Sequence, residues 1–133
     1  MGIKKRRMTL SLAVKFGVKS TNGFTIEKEV YDAMLASDRI QELLNNGSLY
    51  LCKCNSTNYT VDMKDVIGII RSVNTETRKV EVDIIENDFT KTINFNKYQV
   101  TTEYSGVNNN GIYTFHFIGG FSIIPKGKSC YDR

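Results

Sequence analysis

The chain has 133 residues, a formal net charge of +4, 41% hydrophobic and 24% charged residues. This balance suits one globular domain with its own core and excludes a disordered or collagen-like chain. No apolar run is long enough to span a bilayer, so no membrane partner is expected. Six basic residues, Lys4, Lys5, Arg6, Arg7, Lys15 and Lys19, fall within the first nineteen positions without a single acid, and the remainder is net negative. The reading is a flexible basic arm over residues 1–8, followed by a single β-rich domain over 9–133. Such an arm suits an acidic partner, either nucleic acid or an acidic protein face. A solvated tail serving only solubility accounts for the same cluster. Lys4, Lys5, Arg6 and Arg7 are the candidate contacts.

Residues 9–16 alternate. Leu10, Leu12, Val14 and Phe16 share one face of a half-buried strand. Asn22-Gly23 then turns the chain. Residues 25–46 form the helical segment. Thr25 is placed to cap it, Glu27 and Glu29 sit in the first turn, and Ile26, Val30 and Met34 make an apolar stripe. Ser37-Asp38 offers a second cap where the stretch can divide, and Asn46-Gly47 ends it. A short half-apolar strand is expected over 48–54.

Two strands over 64–73 and 79–86 make the clearest hairpin, with Asn74 to Arg78 as its polar turn. Val80, Val82 and Ile84 alternate with Lys79, Glu81 and Asp83, and Ile69 and Val82 are the expected inward positions. Further strands are expected near 91–95, 98–104, 112–118 and 120–124, with an exposed turn over 105–111. The sum is an α+β, β-dominated domain: a bent antiparallel sheet or partial β-barrel with one helical segment near the N-terminus.

Few residues carry chemistry. Cys52, Cys54 and Cys130 are odd in number and read as reduced thiols of a cytosol-like compartment. His116 is the single histidine, so a zinc site is not expected. A strand histidine bonded to a neighbour explains it better than an acid–base role or a nucleophilic pair with Cys54. Pro125-Lys126-Gly127-Lys128-Ser129 lacks the glycine that a phosphate-binding loop needs five residues before Gly127, where Ser122 stands. The aromatics are scattered rather than interleaved with Lys and Arg, so no base-stacking platform is expected. Gly119-Gly120, inside a strand-like run, marks a bulge or a place where another chain packs closely, and both are candidate partner contacts. No cofactor and no metal are expected.

The order of these features resembles the tailed-phage prohead proteases, which share the assemblin-like β-barrel of herpesvirus maturation proteases. The resemblance covers about residues 9–125. It rests on the leading strand, Asn22-Gly23, the Glu29-to-Leu35 helix, Asp65-Val66-Ile67-Gly68-Ile69-Ile70-Arg71-Ser72-Val73 with its return Lys79-Val80-Glu81-Val82-Asp83-Ile84, and the late strand from Gly111 to Gly120. The family places a catalytic histidine before that hairpin, where this chain has Leu51-Cys52-Lys53-Cys54-Asn55-Ser56. It places a catalytic serine on the late strand, where this chain has Thr114-Phe115-His116-Phe117-Ile118. Ser122 takes that role only under a shifted register, and without a base its hydroxyl stays a poor nucleophile.

The resemblance without its catalytic pair implies a non-enzymatic virion structural protein. Its role would be that of an auxiliary or decoration component on a phage capsid shell, with the major capsid protein or other virion proteins as partners. It would be assembled in the host cytoplasm. The Asn-, Lys- and Ile-rich composition suits a phage of an AT-rich host, such as the crAss-like phages of the gut. The alternatives are a small nucleic-acid-binding or regulatory domain that uses the basic arm, and an active prohead maturation protease.

Overall fold

In the computed structural model, which describes residues 5–21, 23–53, 62–105, 108–110, 112, 113 and 117–131, the first element is β1 (Lys5–Ser11). Met8 and Leu10 turn inward from it, opposite Val82 and Val80. The strand starts four residues earlier than the alternation alone indicates, so Lys5 to Met8 belong to the sheet and not to a flexible arm. The expected strand over 9–16 also ends early, at Ser11.

The helical segment divides at Ala36-Ser37 into α1 (Lys28–Leu35) and α2 (Asp38–Asn45). Ser37 caps α2 by accepting from the Ile40 N–H. The cap expected at Thr25 is not used. Glu27 occupies the N-cap position of α1 without a side-chain bond. After α2, Gly47 takes φ +67°. The Gly47 and Ser48 N–H groups then donate to the carbonyls of Leu44 and Leu43, at 3.2 and 2.8 Å. That double closure satisfies the helix end and needs a left-handed residue, which glycine supplies without strain.

There follow β2 (Tyr50–Cys52), a 3-10 turn at Met63–Asp65, β3 (Val66–Asn74) and β4 (Lys79–Ile85). The hairpin lies where the sequence indicates it. Its turn is built by Asn74, whose side-chain oxygen accepts from the N–H groups of Glu76 and Thr77 at 2.9 and 3.1 Å. Thr75 ties the tip to α1 by donating to Asp32 at 2.7 Å.

The strand expected over 91–95 is instead α3 (Asp88–Thr92) and a 3-10 turn at Phe95–Lys97. Asn87 and Thr90 form a reciprocal capping box: the Asn87 side chain accepts from the Thr90 N–H, and the Thr90 hydroxyl accepts from the Asn87 N–H. Two satisfied backbone donors outweigh the weak alternation of Ile93 and Phe95. The chain continues as β5 (Tyr98–Ser105), a two-residue ladder of β6 (Asn108–Asn109) and β7 (Ile112–Tyr113), and β8 (Phe117–Pro125).

Six of these strands form one sheet in the order β1-β4-β3-β2-β8-β5. All neighbours are antiparallel except β2 and β8, which run parallel with Leu51 opposite Phe121. The sheet is therefore mixed rather than purely antiparallel. It curls into an open half-barrel. At one end its two edges meet: Leu12 bridges to Val100, and the Ala13 N–H donates to the Val100 carbonyl at 2.7 Å. The core fills the concave side. Val82, Val80, Ile70 and Val100 from the sheet are fully buried, and Tyr31, Met34 and Ile40 from the helices close over them. Tyr31 Oη shares a 2.8 Å hydrogen bond with Thr102 Oγ1, so this polar tip within the core is satisfied.

Candidate interaction surfaces

β1 is the outermost strand of the sheet and, among the described residues, pairs along its length only with β4. Its basic residues are held in register: Lys5 lies opposite Ile85, Arg6 opposite Ile84 and Arg7 opposite Asp83. Arg7 Nε donates to one Asp83 oxygen, and Arg71 Nε donates to the other at 2.6 Å. Glu81 lies 3.4 Å from the same Arg7 guanidinium. Two guanidiniums on one carboxylate hold the Asp83 acid down to about 2, with Arg7 the larger cause and Arg71 the second.

Arg6 lies 5.8 Å over the ring of buried Phe95, a cation–π contact. These contacts explain why residues 5–8 are strand. The acid that neutralises the basic run belongs to β4, so the run folds onto the domain's own net-negative part. Lys5 is exposed and has no ion pair among the described residues. Lys4 lies outside the described residues.

The Asp83 clamp gives a pH signature. A carboxyl whose folded value is depressed contributes stability above its unfolded value of about 3.9. That contribution fades as pH falls toward the folded value of about 2. Asp83→Asn is therefore expected to melt below wild type at neutral pH, with the gap closing between about pH 4 and pH 2. Melting curves of both proteins across that range check it, and a gap independent of pH would contradict the clamp.

On the other side of the half-barrel, β8 carries a bulge where the sequence has Gly119-Gly120. Glu103 lies opposite Gly120 and Tyr104 opposite Ile118, so Gly119 is the extra residue. A Cβ built on Gly120 meets nothing within 4 Å. Close packing by the described residues therefore does not explain Gly120. Glu103 is the ladder partner of Gly120, and partial burial pushes its acid above the usual carboxylate range.

Ser122 and Cys52 face each other across the parallel β2–β8 pair. Ser122 is 1% exposed and Cys52 3%. Cys54 and His116, with the pairing between them, lie outside the described residues. Among the described residues, no cluster of His, Cys, Asp and Glu is arranged to hold a metal ion, and no helix is long and apolar enough to cross a membrane.

A further site joins residues far apart in sequence. Where the end of β1 crosses from β4 to β5, a hollow of about 240 Å³ is lined by Lys15, Arg78, Lys79, Ser11, Thr77 and Gln99. A second hollow of about 340 Å³ shares Lys15 and Arg78 with it and adds Phe16 and Val18. Lys79 Nζ reaches Ser11 Oγ at 3.4 Å. Arg78 takes φ 54°, a conformation that a residue with a Cβ adopts at a cost. Its carbonyl accepts from the Leu12 N–H at 2.8 Å, which fixes the crossing. Arg78-Lys79 at the end of the hairpin turn was visible in the sequence. The approach of Lys15 was not, because it depends on the sheet closing at Leu12 and Val100.

Comparison with protein-family models, with curated proteins and with solved structures finds no match to this chain.

Proposed function

We propose that this chain is a non-enzymatic structural protein of a phage virion, an auxiliary or decoration component that binds the capsid shell through the edge of its half-barrel. The observation that carries this reading is the position of the basic run. Lys5 to Arg7 stand on a fixed edge strand whose second side pairs with nothing among the described residues. A strand edge offers a row of unsatisfied N–H and C=O groups to a strand of another chain. The exposed Lys5 beside it favours an acidic partner, and the major capsid protein is the partner proposed. The resemblance to the prohead proteases supports a virion setting. The near-complete burial of Ser122 favours binding over catalysis, because a nucleophile must reach its substrate.

Co-sedimentation with assembled coat-protein shells tests the reading. The wild-type chain is expected to pellet with the shells. Lys5→Glu should weaken that binding while keeping the fold, since Arg6, Arg7 and Asp83 are untouched. Failure to pellet, or binding indifferent to the charge reversal, would count against it. Shell or scaffold protein incubated with the chain should yield no new fragments. Cleavage abolished by Ser122→Ala would instead support the protease alternative.

A further inference from the structure

We propose that the seam of the half-barrel is a binding site for a nucleoside phosphate unit, with the phosphate among Lys15, Arg78 and Lys79 and the base in the adjoining hollow beside Phe16 and Val18. This site lies at the Ser11 end of β1, away from Lys5 to Arg7, and does not rest on the capsid reading.

Three cationic side chains line the first hollow, and none of them has a carboxylate partner among the described residues. Several other cations do have such partners: Arg7 and Arg71 share Asp83, Lys28 meets Asp32 and Glu76, and Lys53 meets Asp65. Like charges left together repel, and an anion placed among them removes that repulsion. Ser11 and Thr77 add hydroxyls and Gln99 an amide, the donor types that phosphate oxygens take alongside Lys and Arg.

Arg78 adds a second argument. The left-handed position at the end of the turn suits glycine or asparagine, and an arginine held there has a backbone cost without an ion pair among the described residues to offset it. Strain at a residue that lines a hollow points to a role for the side chain.

The second hollow decides what is attached to the phosphate. Phe16 meets Tyr31 edge-on, with ring centroids 5.3 Å apart, so the core steadies its ring. Val18 is 42% exposed. An aromatic ring and an aliphatic side chain give a flat base an apolar wall. The same hollow is lined by Lys28 and Glu76, paired at 2.7 Å. That carboxylate disfavours a second phosphate there and leaves donors and acceptors for a base edge. The aromatics are scattered in the sequence, but the fold brings one of them beside the unpaired cations.

Fluorescence anisotropy with a labelled thymidine decamer, and separately with labelled AMP, tests the proposal, with inorganic phosphate as competitor. Arg78→Gly is the decisive variant, because glycine accepts the left-handed backbone and the melting temperature should hold or rise. It should weaken binding roughly tenfold, as the loss of a charged hydrogen bond does. Lys15→Ala with Arg78→Gly should weaken it further. For the decamer the salt slope should fall by about 0.7 for each phosphate contact removed.

Phe16→Leu keeps the apolar volume. It should weaken the labelled probes while leaving the affinity of the competing inorganic phosphate unchanged. Lys64→Ala, at an exposed lysine away from the seam, should have little effect. Binding of the decamer alone places the unit within a single strand, and tight binding of AMP places it in a free nucleotide; either supports the proposal. It is overturned if neither probe binds at low salt, if Arg78→Gly binds like wild type, if Lys64→Ala weakens binding as much as Arg78→Gly, or if Phe16→Leu changes nothing.

Discussion

Gly68→Ala is expected to be among the most damaging single substitutions in this protein, although it adds one methyl group. Gly68 lies in β3 between Leu51 of β2 and Ile84 of β4, so it can shift toward neither side. A Cβ built on it stands 2.7 Å from Val82 Cγ1 and 3.0 Å from the Asp83 carbonyl oxygen. Val82 is fully buried and β-branched, with little freedom to turn away. The oxygen belongs to the backbone of the neighbouring strand. Relief therefore requires separating β3 from β4, and overpacking of this kind costs about 1–3 kcal/mol and sometimes more. Urea unfolding should show the midpoint of Gly68→Ala well below wild type with a similar slope. A midpoint equal to wild type would mean that the β3–β4 register is not the one described.

Ile70→Ala is the second large effect, and its neighbour is the control. The sequence reading places Ile69 inward with Val82. The ladder places Ile70 opposite Val82 and Ile69 opposite Asp83, and residues paired across a ladder share a face. Ile70 is fully buried in the core, whereas Ile69, 9% exposed, lies on the Asp83 side and is not part of the core cluster. Truncating Ile70 leaves a cavity that the packed sheet and helices cannot close, at a cost of about 2–5 kcal/mol. That is a large share of the ~5–15 kcal/mol that holds a domain together. Ile69→Ala should cost less, because Ile69 lies outside the core cluster. Equal losses, or a larger loss at Ile69, would reverse the faces of β3.

The Ile69 inversion shows where the sequence was silent. Val66, Ile67, Gly68, Ile69 and Ile70 are all buried, so this strand has no polar alternation to mark its inner face. The return strand does alternate, and Val80, Val82 and Ile84 were read correctly from it. The helix pair was legible for the same kind of reason: Ser37 and Gly47 are local signals that act within one turn. The capping box at Asn87 and Thr90 was just as local, and the alternation of Ile93 and Phe95 masked it.

The bulge at Gly119-Gly120 was legible from composition, since two glycines in a strand have few other uses. The basic run was legible as charge but not as structure. Its fate was set by Asp83, seventy-six residues away from Arg7, and no short-range pattern records such a partner. The parallel β2–β8 pair and the seam hollow are long-range in the same sense. Both follow from the order in which strands enter the sheet.

Residue-by-residue hydrogen exchange on β1, in the free protein and with coat shells added, tests the central claim most directly. In the free protein, alternate amides of residues 5–11, those turned toward β4, should exchange slowly, while the other set exchanges fast. On adding shells the second set should slow, as its N–H groups pair with the partner's strand. Fast exchange of both sets in the free protein would mean that the basic run is an arm after all. A second set that stays fast on bound shells would mean that this edge is not the docking site.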